Sequence, residues 1–560
     1  MEIVTTIERH RTAMSRTFLS RPMRQAVEDG LLTTDETIFD YGCGRGDDVR
    51  TLAGLGYTIS GWDPAHAPDQ PRQQAAVVNI GYVVNVIEDT TERAQALQSA
   101  WELATKVLIV SARLTWDPDA TAGQPYGDGR LTSNGTFQKY YTQEELRDWI
   151  TAVTGQRPIT AAPGIFYTFK DPAAAQSLLA RQSRDTSKAR LGIAELIYSE
   201  KATILKPLEE WVDDNRRLPV PTDLPNSPDI IDAFGSIRAA FGLIRRVTGS
   251  ERWHGIDLGT RRRSERRFEE HLEDLQPLID FLSDRGRLPR DGELANQQAI
   301  EAEFTSIRGA FALIRRVTGS SRWHEFETTA RDNFLVYTAL AAFAGRPRYS
   351  DLPSDLQHDV KDLFGSYTNA TAEADRLLYS IADTDALTAA FQQARFGKLT
   401  PDAFYAHVDG IDELPPTLRV YQGAARALTG NVDDTTIIKF SRLKPQVSFL
   451  TYPDFDANPH PPLATSVIAK LPELKVSYRN FANSDNPPIL HRKEAFLPET
   501  HPCYAKYARL TQQEERAGLL SDSTIGHRNE WDAALVAAGK TLRGHRLINT
   551  KPPDANRSDG

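Results

Sequence analysis

IFDYGCGRGDDVRTL, residues Ile38–Leu52, joins an apolar run to three glycines and then to a cluster of charged residues. The apolar run predicts a buried strand, and the pattern that follows predicts a helix starting near Asp47. Glycines at 42, 44 and 46 let the chain turn sharply after the strand and let a ligand approach the backbone closely. The segment therefore predicts a strand, a ligand-binding loop and a helix at the start of a parallel α/β domain.

Carboxylates surround this loop and limit the ligand it can take. Asp40 precedes the glycines, Asp47 stands where the dinucleotide fingerprint has its third glycine, and Asp48 follows. A pyrophosphate at the helix N-terminus would face each carboxylate at a cost on the order of one to a few kcal/mol. S-Adenosylmethionine has a sulfonium and an ammonium group and no phosphate, so the same charges favour it. Asp63 ends the next predicted strand, where a carboxylate can accept hydrogen bonds from ribose hydroxyls.

Seven stretches within residues 1–185 carry a resemblance to a known family: RHRTAMSRTFLSRPMRQA, FDYGCGRGDDVR, GWDPAH, NIGYVVNVIEDTTER, IVSARL, GTFQKYYTQEELRDWI and APGIFYTFKD. The glycine loop and the acid after the second strand resemble the first two motifs of class I S-adenosylmethionine-dependent methyltransferases. As a set, the stretches resemble the bacterial DNA phosphorothioation-associated methyltransferases. The resemblance implies a methyltransferase that uses S-adenosylmethionine and works on or with DNA, beside other components of a phosphorothioation system for DNA modification and defence. The cofactor-binding residues that follow are Asp40, Gly42, Gly44, Gly46, Asp63 and Asn79.

NIGY, residues 79–82, follows the third predicted strand, where a methyl acceptor is expected. DNA amino-methyltransferases have [DNS]-P-P-[YF] at this point, so both ends match and both prolines are missing. In one interpretation Asn79 accepts a hydrogen bond from an exocyclic amine and Tyr82 stacks on a base, which makes them the candidate catalytic residues. In the other, the segment is the strand edge of a methyltransferase for RNA or small molecules. Glu88 and Asp89 either include a general base or cap the next helix.

A duplication occupies residues 200–330. FGSIRAAFGLIRRVTGSERWH, residues 234–254, recurs as FTSIRGAFALIRRVTGSSRWH, residues 304–324. The copies extend to about 207–254 and 277–324, and each is predicted as a helix, an RLP turn and a longer helix. Arginines recur in register on the longer helix and suit successive contacts with a phosphate backbone; the alternative is a solvated arginine face paired with the chain's acids. The candidate DNA-binding residues are Arg238, Arg245, Arg246, Arg308, Arg315 and Arg316.

Length, net charge and cysteine number limit the classes of protein to which the chain can belong. A chain of 560 residues is too long for one core, and its net charge of -9 excludes a protein whose whole surface binds nucleic acid. Two cysteines provide neither a disulfide framework nor a zinc cluster, so no metal is expected, and they fit a reducing cytoplasm. No secretory signal is expected from the residues after Met1, and no apolar run is long enough to predict a membrane span.

The expected fold class is α/β, with a class I methyltransferase (Rossmann-like) domain over residues 1–185. A mainly α-helical duplicated module over residues 200–330 follows. The expected continuation is a helical region over residues 331–430 and an α+β C-terminal region of unassigned role over residues 431–560. Within the latter, DNPPI at 485–489 imitates the amino-methyltransferase motif. It is interpreted as a structured turn, with His491, Arg492 and Lys493 offering at most a phosphate contact.

Three classes of function remain open at this point. The first is an enzyme that methylates DNA. The second is a module that binds S-adenosylmethionine and DNA, in which cofactor occupancy signals and no methyl group is transferred. The third is a methyltransferase for RNA or small molecules whose arginines are merely solvated.

Overall fold

A computed structural model describes residues 7–183, 198, 201–234, 236–249, 252–254, 256, 263–521 and 523–550. Its contacts divide the chain into two compact units. The first unit comprises Met1–Leu179, Leu340–Asp351 and Leu377–Gly560, and the second comprises Ala180–Ala339 and Leu352–Arg376. Among the residues so described, no helix is both long and apolar enough to cross a membrane.

The N-terminal part of the first unit alternates strands and helices. Its strands are β1 (Thr37–Tyr41), β2 (Thr58–Trp62), β3 (Ala75–Gly81), β4 (Ala104–Ser111), β5 (Gln124–Tyr126), β6 (Gly129–Leu131), β7 (Phe137–Gln138), β8 (Ile159–Ala162) and β9 (Ile165–Phe169). Its helices are α1 (Arg21–Glu28), α2 (Asp47–Gly54), α3 (Thr90–Leu103) and α4 (Gln143–Thr154), and α5 (Pro172–Gln182) follows. The predicted helix start at Asp47 is confirmed.

Six of these strands form one sheet in the order β2-β1-β3-β4-β9-β8. Strands β1 to β4 pair in parallel, which confirms the predicted Rossmann-like sheet. The predicted parallel domain ends in two reversed strands, since β9 runs antiparallel to β4 and β8 antiparallel to β9. Only two residues join β8 to β9, and so short a link forces an antiparallel pair. Gly164 takes φ +75° in this link, where a Cβ would lie 2.6 Å from Ala112 O.

The central strands carry apolar side chains on both faces, as strands covered by helices on both sides do. Val78 on β3 and Leu108 on β4 pack in the cluster on one face of the sheet, and Val77 and Ile109 pack in the cluster on the other; all four are 0% exposed. Helix α4 begins with a capping box, in which the side chains of Thr142 and Glu145 each accept a hydrogen bond from the other residue's backbone N–H. The loop after β1 therefore emerges from the best-packed part of the sheet.

The C-terminal part of the first unit contains a second, antiparallel sheet whose strands follow chain order. These strands are β10 (Lys398–Leu399), β11 (Ala403–His407), β12 (Ile437–Ser441), β13 (Gln446–Thr451), β14 (Thr465–Lys470) and β15 (Lys475–Asn480). Further elements are the helices Thr384–Gln393, Pro416–Thr429, Tyr504–Arg516 and Arg528–Ala537, and the hairpin of β16 (Lys540–Leu542) and β17 (Leu547–Asn549). The sheet thus begins near 398, before the expected boundary at 431, because β11 pairs with β12 across an intervening helix.

The helix Pro416–Thr429 ends against the first sheet. Asn431 N donates to Ala161 O at 2.7 Å, and Thr160 Oγ1 donates to Ala427 O at 2.9 Å. Between them, Gly430 has φ +70° and a Cβ there would lie 2.4 Å from Ala162 N. The C-terminal region therefore covers the edge strand β8, whose backbone groups would otherwise be open to pairing.

The second unit is helical, and the helices of its two repeats have matching bounds. The helices Ala202–Asn215, Ser227–Phe234 and Ile237–Thr248 recur 70 residues later as Leu272–Arg285, Gln297–Phe304 and Ile307–Thr318. The prediction of one longer helix per copy was wrong, because Ser236 and Ser306 each cap a new helix at that point. The unit also contains the helices Arg263–Glu270 and Ser321–Ala341.

A further helix pair has the same break, in which a helix ends at Phe and a Ser two residues later caps the next helix. The helix Ser354–Phe364 ends in Phe, as the helices ending at Phe234 and Phe304 do, and the helix Tyr367–Ser380 follows. At the turn, Asn369 N donates to Ser366 Oγ at 3.2 Å. The sequence predicted two copies, since little beyond the Phe and the capping Ser remains in this third pair.

The junction at Gly430 yields a stability prediction. Gly430→Ala should lower the free energy of unfolding by about 3 kcal/mol or more, because it adds a backbone clash to an unfavourable φ. Gly518→Ala is the matched control, since Gly518 has φ +72° but nothing within 4 Å of its Cβ position. That control should cost about 1 kcal/mol. Chemical denaturation of the full chain measures both, and equal losses would contradict the packing of the C-terminal region on β8.

Candidate functional site

The glycine loop folds back onto the end of β2. Gly42 N and Cys43 N both donate to Trp62 O, at 2.7 and 3.0 Å. Gly42, Gly44 and Gly46 have φ of +82°, +53° and +73°, which other residues rarely adopt. A Cβ on Gly42 would lie 2.4 Å from Val83 Cγ2. Both the backbone conformation and the packing therefore require glycine here.

Asp63 stands directly after β2 and faces this loop. Its Oδ2 accepts from Gly44 N at 3.1 Å, and its Oδ1 accepts from Ala65 N and His66 N at 2.9 Å each. The side chain is half-buried. Since a carboxylate can accept about four hydrogen bonds, Asp63 is held in place with capacity left for a ligand hydroxyl.

Asp40 and Asn79 form a buried pair beneath the loop. They are directly opposite each other on β1 and β3, and Asn79 Nδ2 donates to Asp40 Oδ1 at 2.8 Å. They are 4% and 2% exposed. Asn79 Oδ1 is buried and has no partner among the described residues. Burial raises the pKa of Asp40 to about 7, with Asp48 and Asp63 adding to the rise against the opposing hydrogen bond from Asn79. The Asp40 carboxylate and Asn79 Oδ1 are thus buried acceptors that suit a cationic ligand.

The two candidate catalytic residues have different surroundings. Asn79 lies inside β3 with its amide nitrogen committed to Asp40. Tyr82 follows the strand with φ +58°, and its N–H donates to Ser111 O at 3.0 Å. A non-glycine residue in the left-handed region stores on the order of 1 kcal/mol or more, and such residues cluster at functional sites. Their catalytic roles remain predictions, with Tyr82 the more exposed of the two.

The carboxylates at the start of α2 do not face a ligand pocket, contrary to expectation. Asp47 accepts from Arg16 N at 2.7 Å and pairs with Arg50, while Asp48 accepts from Ser20 N at 2.7 Å. Two backbone N–H groups of the segment before α1 thus donate hydrogen bonds to the carboxylates of Asp47 and Asp48. Of the expected ring of four carboxylates, Asp40 and Asp63 remain at the loop.

The same N-terminal segment crosses the glycine loop. Arg9 donates to both oxygens of Glu88 at 2.8 Å, and it also pairs with Glu92 at 2.5 Å. Ala13 Cβ lies 3.3 Å from the position of a Cβ on Gly44. Asp89 caps α3 by accepting from Glu92 N at 2.7 Å. Glu88 and Asp89 are therefore engaged in structure, and the capping alternative holds for Asp89.

Sequence reasoning missed Gly61 on β2. A Cβ there would lie 2.9 Å from Cys43 Cβ and 3.0 Å from Val49 Cγ2, so the loop and α2 pack directly on the strand. The signal was a glycine inside a strand pattern, which marks close approach of another segment. Burial and the carboxylates of Asp40 and Asp63 raise the pKa of the Cys43 thiol to about 12. Cys43 is therefore a protonated packing residue at neutral pH.

The predicted DNA-binding arginines differ between the repeats. Arg308, Arg315 and Arg316 are exposed, and within the described residues none of them forms a hydrogen bond or ion pair. Arg238 and Arg245 are half-buried, and Arg245 Nε is buried. The side chain of Arg246 lies outside the described part of the structure. The two copies therefore do not present equal basic surfaces, although their backbones keep the predicted register.

Other arginines of the second unit are paired with acids. Arg217 bonds Asp223 at 3.0 Å, and the pair recurs in the second copy as Arg287 with Glu293 at 2.7 Å. Arg287 also donates to Asp359 at 2.6 Å. The alternative of paired arginines thus describes these residues, and the exposed arginines of the helix Ile307–Thr318 stand apart from them.

The predicted phosphate contacts after DNPPI are wrong. Lys493 is 2% exposed and donates to Asn458 O at 2.9 Å, and its ammonium also reaches Phe455 O at 2.5 Å. Arg492 pairs with Glu515. His491 Nε2 donates to Ile525 O at 2.9 Å. These side chains are used inside the C-terminal region because the turn is packed against the following helix and loops.

Comparison with known proteins gives partial structural likenesses. No family model matches the chain, and no curated protein matches its sequence. Burkholderia thailandensis 1,6-didemethyltoxoflavin-N1-methyltransferase, bound to 1,6-didemethyltoxoflavin and S-adenosylhomocysteine, is 13% identical with a TM-score of 0.21, covering 30% of this chain and 81% of that one. Magnesium protoporphyrin IX methyltransferase from Synechocystis PCC 6803, bound to S-adenosylhomocysteine, is 16% identical with a TM-score of 0.21. The match covers 29% of this chain and 92% of that one. The complex of the same enzyme with S-adenosylmethionine is 14% identical with a TM-score of 0.20, covering 29% of this chain and 89% of that one. At these scores the assignment of function rests on the site itself.

The buried Asp40 generates a prediction about pH. Its pKa is raised from 3.8 to about 7 in the folded chain, so between these values the folded state holds a proton that the unfolded state has released. The contribution of Asp40 to the free energy of unfolding should therefore fall, by on the order of a few kcal/mol, as pH rises from about 4 to 7. Asp40→Asn should flatten this dependence.

Urea denaturation of the ligand-free full chain at several pH values measures the effect. Asp69→Asn is the matched control, since Asp69 is exposed. It should follow the wild type. A difference in the free energy of unfolding between the wild type and Asp40→Asn that does not change with pH over this window would refute the assignment.

Proposed function

We propose that the chain is an S-adenosylmethionine-dependent methyltransferase that acts on or with DNA, in a bacterial system linked to DNA phosphorothioation. The observation that carries the cofactor is the buried Asp40–Asn79 pair beside the glycine loop. The support for DNA is the set Arg308, Arg315 and Arg316, which are exposed and have no acidic partner among the described residues. The link to phosphorothioation rests on the sequence resemblance alone.

The acceptors at the loop fit a ligand with a cationic end. Asp40 is buried next to Asn79 Oδ1, which has no donor among the described residues. An ammonium group would supply hydrogen-bond donors and a compensating charge, since a buried carboxylate gains most from a cation. Asp63 would accept from the ribose hydroxyls at the other side of the loop. Gly42 and Gly44 supply the left-handed backbone conformations that turn the loop toward Asp63.

A pyrophosphate-bearing cofactor fits less well. The first turn of α2 is the usual seat for phosphate, because its N–H groups and dipole favour an anion. Here Asp47 and Asp48 occupy that turn, and they hold the N–H groups of Arg16 and Ser20. A phosphate would have to displace the N-terminal segment and face two carboxylates.

When bound, S-adenosylmethionine supplies an electrophilic methyl group for transfer to a nucleophile. The chain's own contribution is to orient the two partners and to exclude water. Asp63 and the glycine loop would fix the nucleoside, and the segment from Arg9 to Ser20 would cover it. Tyr82, at the end of β3, is the residue we assign to contact with the acceptor.

One observation favours a second candidate, a regulator that binds S-adenosylmethionine without transferring its methyl group. Base-amine transfer in our first interpretation needs Asn79 to meet the acceptor. Asn79 is instead buried inside β3 and bonded to Asp40. If the residue keeps this position with ligand bound, catalysis has to rely on Tyr82 and on the residues around it.

Cofactor binding tests the first step. Calorimetry on the full chain should detect S-adenosylmethionine and no comparable affinity for NAD. Asp63→Ala should weaken the binding at least tenfold, because it removes the carboxylate that also holds Gly44 N. Asp69→Asn, an exposed change close in sequence, should leave the affinity unchanged. Binding of NAD in preference to S-adenosylmethionine would overturn the proposal.

Transfer is tested with S-adenosylmethionine labelled on its methyl group. Plasmid DNA, transfer RNA and a small-molecule extract are offered separately to the full chain. Label on DNA alone supports the proposal, and label on RNA or small molecules refutes the DNA substrate. Cofactor binding with no transfer to any of them supports the regulator.

DNA binding generates a prediction about salt. Single changes Arg308→Ala, Arg315→Ala and Arg316→Ala should each weaken binding and reduce the slope of log K against log[salt] by about 0.9. Arg290→Ala is the matched control, since it removes one positive charge from an arginine paired with Asp362 at 2.5 Å. Fluorescence anisotropy with a duplex at several salt concentrations measures the slopes. Equal effects in the control would show that net charge alone matters.

A further inference from the structure

Three side chains distant in sequence meet in the C-terminal region. His460 precedes β14, His491 follows the DNPPI turn, and Glu514 lies on the helix Tyr504–Arg516. Their potential ligand atoms all lie within 4.8 Å of one another. His460 is 3% exposed and Glu514 is 0% exposed. Titratable groups are seldom buried this completely without a specific partner.

Each histidine commits one ring nitrogen to a backbone carbonyl. His460 Nδ1 lies 3.1 Å from Leu490 O, and His491 Nε2 lies 2.9 Å from Ile525 O. Because a carbonyl oxygen only accepts, each of these nitrogens carries its hydrogen. The other nitrogens, His460 Nε2 and His491 Nδ1, face the cluster. Metal-binding histidines show the same arrangement, in which a carbonyl fixes the ring and its tautomer.

Part of the cluster has no hydrogen-bond partner. His460 Nε2 lies 2.7 Å from Glu514 Oε1. Glu514 Oε2 and His491 Nδ1 are buried and bond to no other described residue. A charged pair of His460 and Glu514 would account for the short contact but would leave those two acceptors unsatisfied, at a cost of about 1–3 kcal/mol each. A cation between the three side chains satisfies all of them.

Aromatic packing holds the imidazoles in place. Trp531 is 1% exposed, and its ring centroid lies 4.6 Å from that of each histidine. The two histidine rings are 4.5 Å apart. The ligands are thus positioned by side chains and carbonyls that surround them, as the ligands of a built metal site are.

We propose that His460, His491 and Glu514 bind one divalent transition-metal ion. Two imidazole nitrogens and a carboxylate oxygen suit Zn²⁺, which holds such ligands at about 2.0–2.2 Å in a tetrahedron. Ligand atoms would then be about 3.3 Å apart, so His460 and Glu514 separate slightly and His491 moves inward. A water molecule takes the fourth position on the side of the half-buried His491. The ion joins three segments of the C-terminal region, and the inference is independent of the methyltransferase proposal.

Metal content of the untagged full chain tests the site. After incubation with Zn²⁺ and dialysis against metal-free buffer, the wild type should retain about one equivalent by mass spectrometry. His491→Ala should retain at least tenfold less, and Glu514→Gln should behave alike. His324→Ala is the matched control, since its side chain is 82% exposed, and it should retain as much zinc as the wild type. Less than about 0.1 equivalent on the wild type, or undiminished zinc on His491→Ala, would overturn the proposal.

Circular dichroism would show whether these variants fold. If they do not, a measurement on the wild type alone tests the site. Co²⁺ added to the wild type should give the strong visible absorption of a four-coordinate site, saturating at one equivalent. One equivalent of Zn²⁺ should abolish that absorption. Only the weak spectrum of hydrated Co²⁺ would refute the site without reference to any variant.

Discussion

The N-terminal site depends on one constraint, the closure of the glycine loop onto the end of β2. Trp62 O accepts two successive N–H groups from the loop, and Asp63 accepts a third from Gly44. These bonds require left-handed glycines, and they fix the carboxylate of Asp63 relative to β1. Gly61 supplies the space that lets Cys43 pack on the strand. Without this closure, neither the acid nor the loop would be positioned for a ligand.

Much of the first sheet could be predicted, because its information is local. The apolar run before the glycines predicted β1, the charged residues after them marked the start of α2, and Asp63 marked the end of β2. The sequence identified the glycines and carboxylates around the loop but not the groups to which the carboxylates are hydrogen-bonded. Whether Asp48 faces a ligand or Ser20 N depends on a tertiary contact 28 residues away. Sequence spacing contains no signal for such a choice.

The larger errors arose where distant segments meet. The strand β11 was included in a helical region because its pairing partner β12 lies beyond the helix Pro416–Thr429. In the repeats, the apolar stripe continues through the helix break, so periodicity alone suggested one longer helix, and the capping serines decided otherwise. The absence of a metal was expected from the number of cysteines. His460, His491 and Glu514 carry no recognisable spacing, since a fold and not a motif brings them together.

The two proposed sites share a physical basis. At Asn79 and at Glu514, a side-chain oxygen is buried with no donor among the described residues, next to a second acidic or basic group. Folding does not favour such an arrangement, because desolvated acceptors cost free energy unless something compensates them. A positive ligand compensates both: an ammonium group at the glycine loop and a metal ion in the C-terminal region. Each ligand would therefore stabilise the folded chain by an amount that grows with the logarithm of its concentration relative to its Kd, so thermal stability reports on both sites independently.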